Sequence, residues 1–132
     1  MRKKKTLLIA GLLAVVVIAA AVGIFFMQKV DHYKKAIAEI TYSGIDITAV
    51  PDGTYTGECD VGLIYAKTEV AVKDGIITKI TLLEHRNGRG GTAEGIENTI
   101  VERQQIDVDT VSGATNSSNV IKKAVDNALN QK

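Results

Sequence analysis

The pattern of hydrophobic and polar positions divides the chain into two unlike parts. No residue from Thr6 to Met27 is charged, and a helix of about 22 residues reaches roughly 33 Å, enough to cross the hydrocarbon core of a bilayer. Apolar residues then recur at helical spacing with charged residues between them, which predicts a short amphipathic stalk that continues the first helix. The apolar positions of this stalk are Val30, Tyr33, Ile37 and Ile40.

After the stalk the period changes from that of a helix to that of strands. Val-Pro-Asp-Gly at residues 50–53 is a strong turn signal, since proline presets one turn dihedral and glycine accepts the other. Strand-like runs follow at residues 54–61, 65–72 and 76–83, and the middle run alternates between apolar and polar side chains. Lys73-Asp74-Gly75 between the last two runs predicts a tight hairpin. Together these features predict a small antiparallel meander.

Two further segments have the period of helices. Residues 92–104 place Ala93, Ile96 and Ile100 on one face, and residues 117–130 carry a longer apolar stripe with Lys122, Lys123 and Asp126 on the opposite side. We therefore predict an α+β fold, in which an N-terminal transmembrane helix precedes an antiparallel meander packed with two or more helices. The predicted division is an anchor at residues 1–27, a stalk and linker at 28–50, and a compact domain at 51–132.

The flanks of the apolar run predict its orientation. Arg2 and the three lysines after it lie on its short N-terminal side, so the positive-inside tendency places that end in the cytoplasm and the domain outside. A cleaved signal peptide is the alternative, because Ala19-Ala20-Ala21 offers small residues for cleavage. A signal peptide has a shorter apolar core, of about 7–15 residues, which favours a retained anchor in the cell membrane.

Composition excludes several classes of function. All 15 acidic residues but only 12 of the 16 basic ones follow Met27, so the outer part has a net charge of −3 and no basic stripe for nucleic acid. Cys59 is the only cysteine, which excludes an internal disulfide and suits a small buried strand residue. His32 and His85 have no ligand partners at metal-binding spacing, so we expect no metal site.

The richest chemistry lies in the loop of residues 109–118, Asp-Thr-Val-Ser-Gly-Ala-Thr-Asn-Ser-Ser. It offers five hydroxyl groups, a carboxylate, and a glycine that lets backbone approach a ligand closely. It then enters a helix start, where unpaired N–H groups favour an anion such as a phosphate. An ordinary loop is the alternative, with Ser117 or Ser118 as a plain N-cap and Asp109 in a local turn.

The order of residues in this loop resembles the FMN-binding domain family. Asp-x-x-Ser-Gly-Ala-Thr at residues 109–115, followed by two serines and a helix rich in Ala and Val, is similar to that family's most specific motif. The family includes the flavin-carrying periplasmic subunits of sodium-pumping and related NADH-oxidising membrane complexes, and small single-domain relatives. Residues 52–57, 72–77 and 83–85 resemble its first strand, its hairpin and the end of its third strand.

The resemblance implies a covalent cofactor and the residues that hold it. In the family a separate flavin transferase splits FAD in a magnesium-dependent reaction and joins FMN to the last threonine of the motif as a phosphoester. Thr115 would then be the attachment site. The transferase would read four further residues, which would later surround the phosphate: Asp109, Ser112, Gly113 and Ala114. Ser117 joins this predicted site as the polar residue at the start of the helix.

One segment departs from the family pattern. Larger members carry a longer, proline- and glycine-containing segment after the third strand, and here it is the short run of residues 85–91, His-Arg-Asn-Gly-Arg-Gly-Gly. Arg89 could lie against the flavin or its phosphate, or could be a solvated residue of a flexible turn. His85 could transfer a proton beside the flavin or could have only a structural role.

Three functions are compatible with these features. The first is a membrane-anchored, extracytoplasmic electron carrier, in which the flavin does the redox chemistry and the protein sets its environment. The second is a small reductase that passes electrons to a quinone or another extracellular acceptor. The third is an envelope interaction module that has lost flavin, which the intact Thr115 and Asp109 disfavour. The electron donor and acceptor are not readable from the sequence.

Overall fold

A computed structural model of the chain describes residues 1–87 and 91–131. Helix α1 (Arg2–Ala38) is followed by a short 3-10 turn (Ile47–Ala49) and three strands, β1 (Gly53–Asp60), β2 (Tyr65–Lys73) and β3 (Ile76–Arg86). A second 3-10 turn (Gly91–Ala93) leads to α2 (Ile96–Arg103) and α3 (Thr115–Leu129). The predicted α+β fold, with a long apolar helix before a meander packed with helices, is confirmed.

The N-terminal helix continues without a break from the apolar run into the predicted stalk and ends at Ala38, two residues before Ile40. Within α1 lies a stretch apolar and long enough to cross a membrane, and none of the residues of α1 is buried. Apolar side chains over this length are what a bilayer solvates. A signal sequence near the N-terminus passes the same test of length and composition, so the helix fits a single-pass anchor without fixing the topology. Near its C-terminal end, Tyr33 and Ile37 pack against the domain core.

The three strands form one antiparallel sheet in the order β1-β2-β3. The predicted alternation of β2 is confirmed, because Ala66, Thr68, Val70 and Val72 face the core and the residues between them do not. Asp74 and Gly75 form the hairpin with φ values of 52° and 73°, as a turn that suits twisted strands requires. Strand β3 runs to Arg86, three residues beyond the predicted end, because Arg86 still pairs with Tyr65.

Helix α3 covers β1 and β2, while α2 packs on β3. At Gly57 of β1 the two layers meet backbone to backbone, and an added Cβ there would lie 2.2 Å from the Ala128 nitrogen and 2.3 Å from the Ala124 oxygen. A glycine is therefore required at this crossing. Helix α3 also begins at Thr115, two residues before the predicted start, so Ser117 and Ser118 lie inside its first turn and are not its N-cap.

The polar side of α3 is buried as well, which the sequence pattern did not predict. Asp126 is fully buried and accepts hydrogen bonds from the Ser43 N–H (3.1 Å) and hydroxyl (2.6 Å). Lys122, only 3% exposed, donates to Asp107 and to the Val108 carbonyl, both at 2.7 Å. The reason is that residues 40–50 and the irregular segment of residues 106–108 cover this side of the helix. Ile47 and Val50 of the same linker belong to the core.

Candidate functional site

The motif predicted to carry the cofactor forms a tight turn at the start of α3. The Ala114 N–H donates to the Val111 carbonyl at 3.0 Å, and Gly113 at the third position has a φ of +79°. A positive φ at this position is the mark of a type II turn and explains why glycine stands there. An added Cβ on Gly113 would meet no atom within 4 Å, so the space above the turn is open to a ligand.

The buried Ser118 hydroxyl fastens this turn to the helix. It donates to the Ala114 carbonyl at 2.8 Å and accepts the Val111 N–H at 3.0 Å, so it bonds to both ends of the turn. The side chain is fully buried. Sequence reasoning considered Ser118 only as an N-cap and missed this role. The available signal was its spacing of four residues from Ala114, at which a helical serine can bond back to a carbonyl.

Thr115 is the first residue of α3, and its side chain is exposed. The N-cap, Ala114, has no side-chain oxygen, and no side-chain hydrogen bond caps the helix. Geometry leaves the first N–H groups of any α-helix without intrahelical acceptors. The positive end of a 15-residue helix therefore lies beside the Thr115 hydroxyl and favours an anion there. The first turn of α3 therefore fits a phosphate group close to Thr115.

His85 connects the end of β3 to the first turn of α3. Its side chain is 2% exposed; Nε2 lies 3.3 Å from the Ser117 hydroxyl, and Nδ1 lies 3.0 Å from Oε1 of Glu94. A carboxylate only accepts, so in the neutral ring Nδ1 carries the proton and Nε2 accepts from Ser117. The amide nitrogen of Asn87 also lies 3.2 Å from Nδ1, but it cannot donate there while Nδ1 carries the proton. This chain of contacts fixes the orientation of the buried Ser117 side chain.

Glu94 is a second residue that sequence reasoning missed. The helix predicted over residues 92–104 would include it, but Glu94 lies in the connection between the 3-10 turn and α2, which begins only at Ile96, and 52% of its side chain is exposed. Its contact with His85 spans the connection after β3 and is a tertiary pairing that no local pattern signals. The contact orients the histidine towards α3.

The structure brings together most of the predicted site, and two residues need separate mention. Asp109 is exposed and has no hydrogen bond to any residue within the described part of the chain, so its position is compatible with being read by another protein. Arg89 lies outside the described residues. Ser112 and Gly113 are exposed at the tip of the turn, whereas Ala114 is buried beneath it.

Two grooves differ in their relation to this site. One of about 360 Å³ runs along the edge strand β3 and α2 and is lined by His85, Glu94 and Glu97 among others. The other, of about 600 Å³, lies between the linker and residues 104–107 and includes no predicted site residue. Size alone does not mark the cofactor site. The smaller groove reaches His85, which contacts α3 two residues beyond Thr115, and is the better neighbour for a ligand held there.

Cys59 is half-buried, less than the buried strand residue that the sequence predicts, and its packing agrees with a structural role. The thiol lies in β1 and packs against the core, and this burial raises its pKa. A raised pKa keeps the group as the poorly reactive thiol. Among the residues that the structure describes, no group of three or more His, Cys, Asp or Glu side chains could hold a metal ion.

Comparison with known families agrees with the geometry of the site. Residues 64–130 match the family model described as FMN-binding domain. The matched region covers just over half of the chain. It includes β2, β3, both domain helices and the whole Ser112–Thr115 turn, so the most specific motif and the surrounding fold are matched together. The chain belongs to the FMN-binding domain family.

Proposed function

We propose that this protein is a membrane-anchored, extracytoplasmic flavoprotein that carries FMN as a phosphoester on Thr115 and relays electrons. The observation that carries the proposal is the exposed Thr115 hydroxyl at the first position of α3, beside an open glycine turn. Membership of the FMN-binding domain family supplies the identity of the ligand. FMN, when attached, supplies the one- and two-electron chemistry.

The attachment reaction follows from the chemistry of the hydroxyl. A flavin transferase with Mg²⁺ would bring the pyrophosphate of FAD to Thr115, whose oxygen forms a bond to the phosphorus of the FMN half. The bond between the two phosphates breaks, AMP leaves, and the hydroxyl proton is lost to a base. The product keeps one phosphate charge at the N-terminus of α3, where the helix dipole favours it. Asp109, exposed ahead of the turn, suits recognition by the transferase.

The remaining site residues hold this end of the cofactor in place. Ser118 keeps the turn closed on the helix, so the ester does not swing on a loose loop. Ser117, oriented by His85 and Glu94, presents its backbone N–H and a fixed hydroxyl close to the esterified residue. Covalent attachment also retains the cofactor outside the cytoplasm, where a dissociated flavin would be lost.

The location follows from α1. The proposed location rests on two expectations: that α1 is retained as an anchor, and that Arg2 and its neighbouring lysines stay in the cytoplasm, as the positive-inside tendency favours. The domain would then lie on the other side of the membrane. A reductase that acts on a quinone is the second candidate. It is favoured by the 2.8 Å hydrogen bond from Asn116 to the Tyr33 hydroxyl, because Tyr33 lies only about 9 Å beyond Met27 along the helix axis.

Co-expression with a flavin transferase tests the proposal. We expect intact mass to show the full chain plus FMN less water, and flavin fluorescence to remain with the denatured protein. Thr115→Ala should lose both signals, while Thr110→Ala, a matched loss of a hydroxyl in the same loop, should keep them. An unmodified mass beside an active transferase refutes the ester. The same mass shows whether the N-terminal helix has been removed, which would refute the anchor.

A further inference from the structure

The β1–β2 hairpin ends in a rigid tip that presents an apolar side chain. Gly62, with a φ of +95°, is the first residue of a two-residue turn of the kind that such hairpins favour. The Val61 N–H donates to the Ile64 carbonyl at 3.0 Å, and Asp60 accepts the Gly62 N–H at 2.8 Å. Val61 and Ile64 are buried, but Leu63 is 45% exposed. The exposed leucine is therefore not part of the core.

This tip lies against the membrane-proximal part of α1. A groove of about 310 Å³ separates the hairpin from the helix. A Cβ added to Gly62 would lie 3.9 Å from Cδ2 of His32, so the tip stands close to the histidine ring. The residues that line the groove are Phe25, Gln28, Lys29, His32, Gly62 and Leu63. Its walls are thus an aromatic and an aliphatic side chain, with one fixed positive charge.

The position along α1 gives the depth of the groove in a bilayer. Phe25 belongs to the apolar run that ends at Met27, and His32 lies about 7.5 Å further along the axis. The headgroup layer adds roughly 5–7 Å beyond the hydrocarbon on each side. The groove therefore spans the boundary between acyl chains and headgroups whenever α1 crosses the membrane.

We propose that Leu63 inserts at this boundary and that the groove beside it holds a phospholipid of the leaflet facing the domain. The apolar walls at Phe25 and Leu63 suit the upper part of an acyl chain, and the Lys29 ammonium, 5.2 Å from the centre of the Phe25 ring, suits the lipid phosphate. The inference rests on the retained anchor of the proposed function. It adds a second membrane contact and so fixes how the domain leans on the bilayer.

Single-tryptophan variants test the contact, because the protein contains no Trp. The full chain is placed in nanodiscs of phosphatidylcholine with or without bromine on the acyl chains, which quenches nearby indoles. We expect Leu63→Trp to lose emission in the brominated discs, as Phe26→Trp in the anchor does. Ile76→Trp is the matched control, since Ile76 is the first residue of β3, 52% exposed, and paired with the far end of β2, about 30 Å along the sheet from the tip. Its emission should not change.

Tryptophan itself prefers membrane interfaces, so a second reporter keeps the tryptophan at one position and varies residue 63. Tyr65→Trp, beside the tip, is measured with Leu63 and with Leu63→Asp, and we expect quenching only with the leucine. Three results would each overturn the docking and leave the anchor intact. They are quenching of Phe26→Trp but not of Leu63→Trp, quenching of Ile76→Trp equal to that of Leu63→Trp, and no effect of Leu63→Asp on the quenching of Tyr65→Trp. If Phe26→Trp is not quenched, the anchor fails as well. FMN on Thr115, measured by mass in the same samples, reports the cofactor separately.

Discussion

The crossing of α3 over β1 at Gly57 gives the sharpest test of the packing. In Gly57→Ala the new methyl carbon would lie 2.2, 2.3 and 2.6 Å from Ala128 N, Ala124 O and Ala128 Cα. All three are backbone atoms, so no side chain can rotate out of the way. Ordinary contact begins at 3.4 Å, and the layers must therefore separate locally by about 1.2 Å.

The loss of stability in Gly57→Ala follows from the side chains that α3 buries. Val120, Ile121, Ala124, Val125, Ala128 and Leu129 all lie in the core. A gap of about 0.5–1 Å forfeits a quarter to a half of the dispersion energy of each contact it opens. We expect a loss of about 3 kcal/mol in the free energy of unfolding, at the upper end for overpacking a core. That is a large share of the roughly 5–15 kcal/mol that stabilises a domain.

Hydrogen exchange of the full chain in detergent micelles measures this loss. A 3 kcal/mol decrease lowers the protection of α3 amides by roughly a hundredfold. Gly91→Ala is the control, because its added Cβ would meet only an Asn87 side-chain atom at 3.9 Å. Ala128→Gly should not rescue Gly57→Ala, since the clash is with backbone. Unchanged protection, or rescue by Ala128→Gly, would show that the packing argument is wrong.

Two further predictions concern single hydroxyl groups. Ser118→Ala removes both hydroxyl bonds that fasten the turn of residues 111–114 to α3, so the domain should lose about 1–3 kcal/mol and the Val111 amide should exchange faster; equal exchange would contradict the role of Ser118. The Tyr65 hydroxyl donates to Glu58 at 2.7 Å, and this bond raises its pKa to about 12. Because the folded-state pKa is raised, the stabilisation is complete below the ordinary value of 10.0 and is lost as pH rises through about 12. The phenolate absorbance that the wild type shows and Tyr65→Phe lacks belongs to Tyr65. It should titrate near pH 12 in the wild type and at a lower pH in Glu58→Gln; a wild-type midpoint near pH 10 would refute the bond.

Local patterns predicted the parts of the fold that local physics determines. The alternation of β2 reflects one buried face, and the Asp74-Gly75 turn needs the positive φ values that these residues tolerate. The Thr115 turn was predictable for a similar reason, since its glycine and hydroxyl groups are a local signature. The start of α3 was misplaced because a serine is a common N-cap, whereas here Ser118 uses its hydroxyl inside the helix.

Tertiary contacts account for what could not be predicted. Lys122 and Asp126 carry the marks of a solvated helix face, but the linker and residues 106–108 cover them. Each partner lies far along the chain, as Ser43 does from Asp126, and no periodicity encodes such a pairing. The bond between Glu94 and His85 likewise depends on how the connection after β3 folds back. The site therefore has a local part that sequence shows and a supporting part that it does not.

The linker of residues 40–50 is bonded to α3, and this affects how a redox partner would reach the domain. A domain on a flexible tether can reach a partner anywhere within the length of that tether, and its rate of encounter with the partner depends on that length. Here Ser43 bonds to Asp126, and Asn116 at the other end of the same helix bonds to Tyr33 of α1. Because both ends of α3 are held in this way, the domain can move only a short distance away from α1. On the proposed function, an electron-transfer partner would therefore have to bring its own redox centre close to the membrane surface.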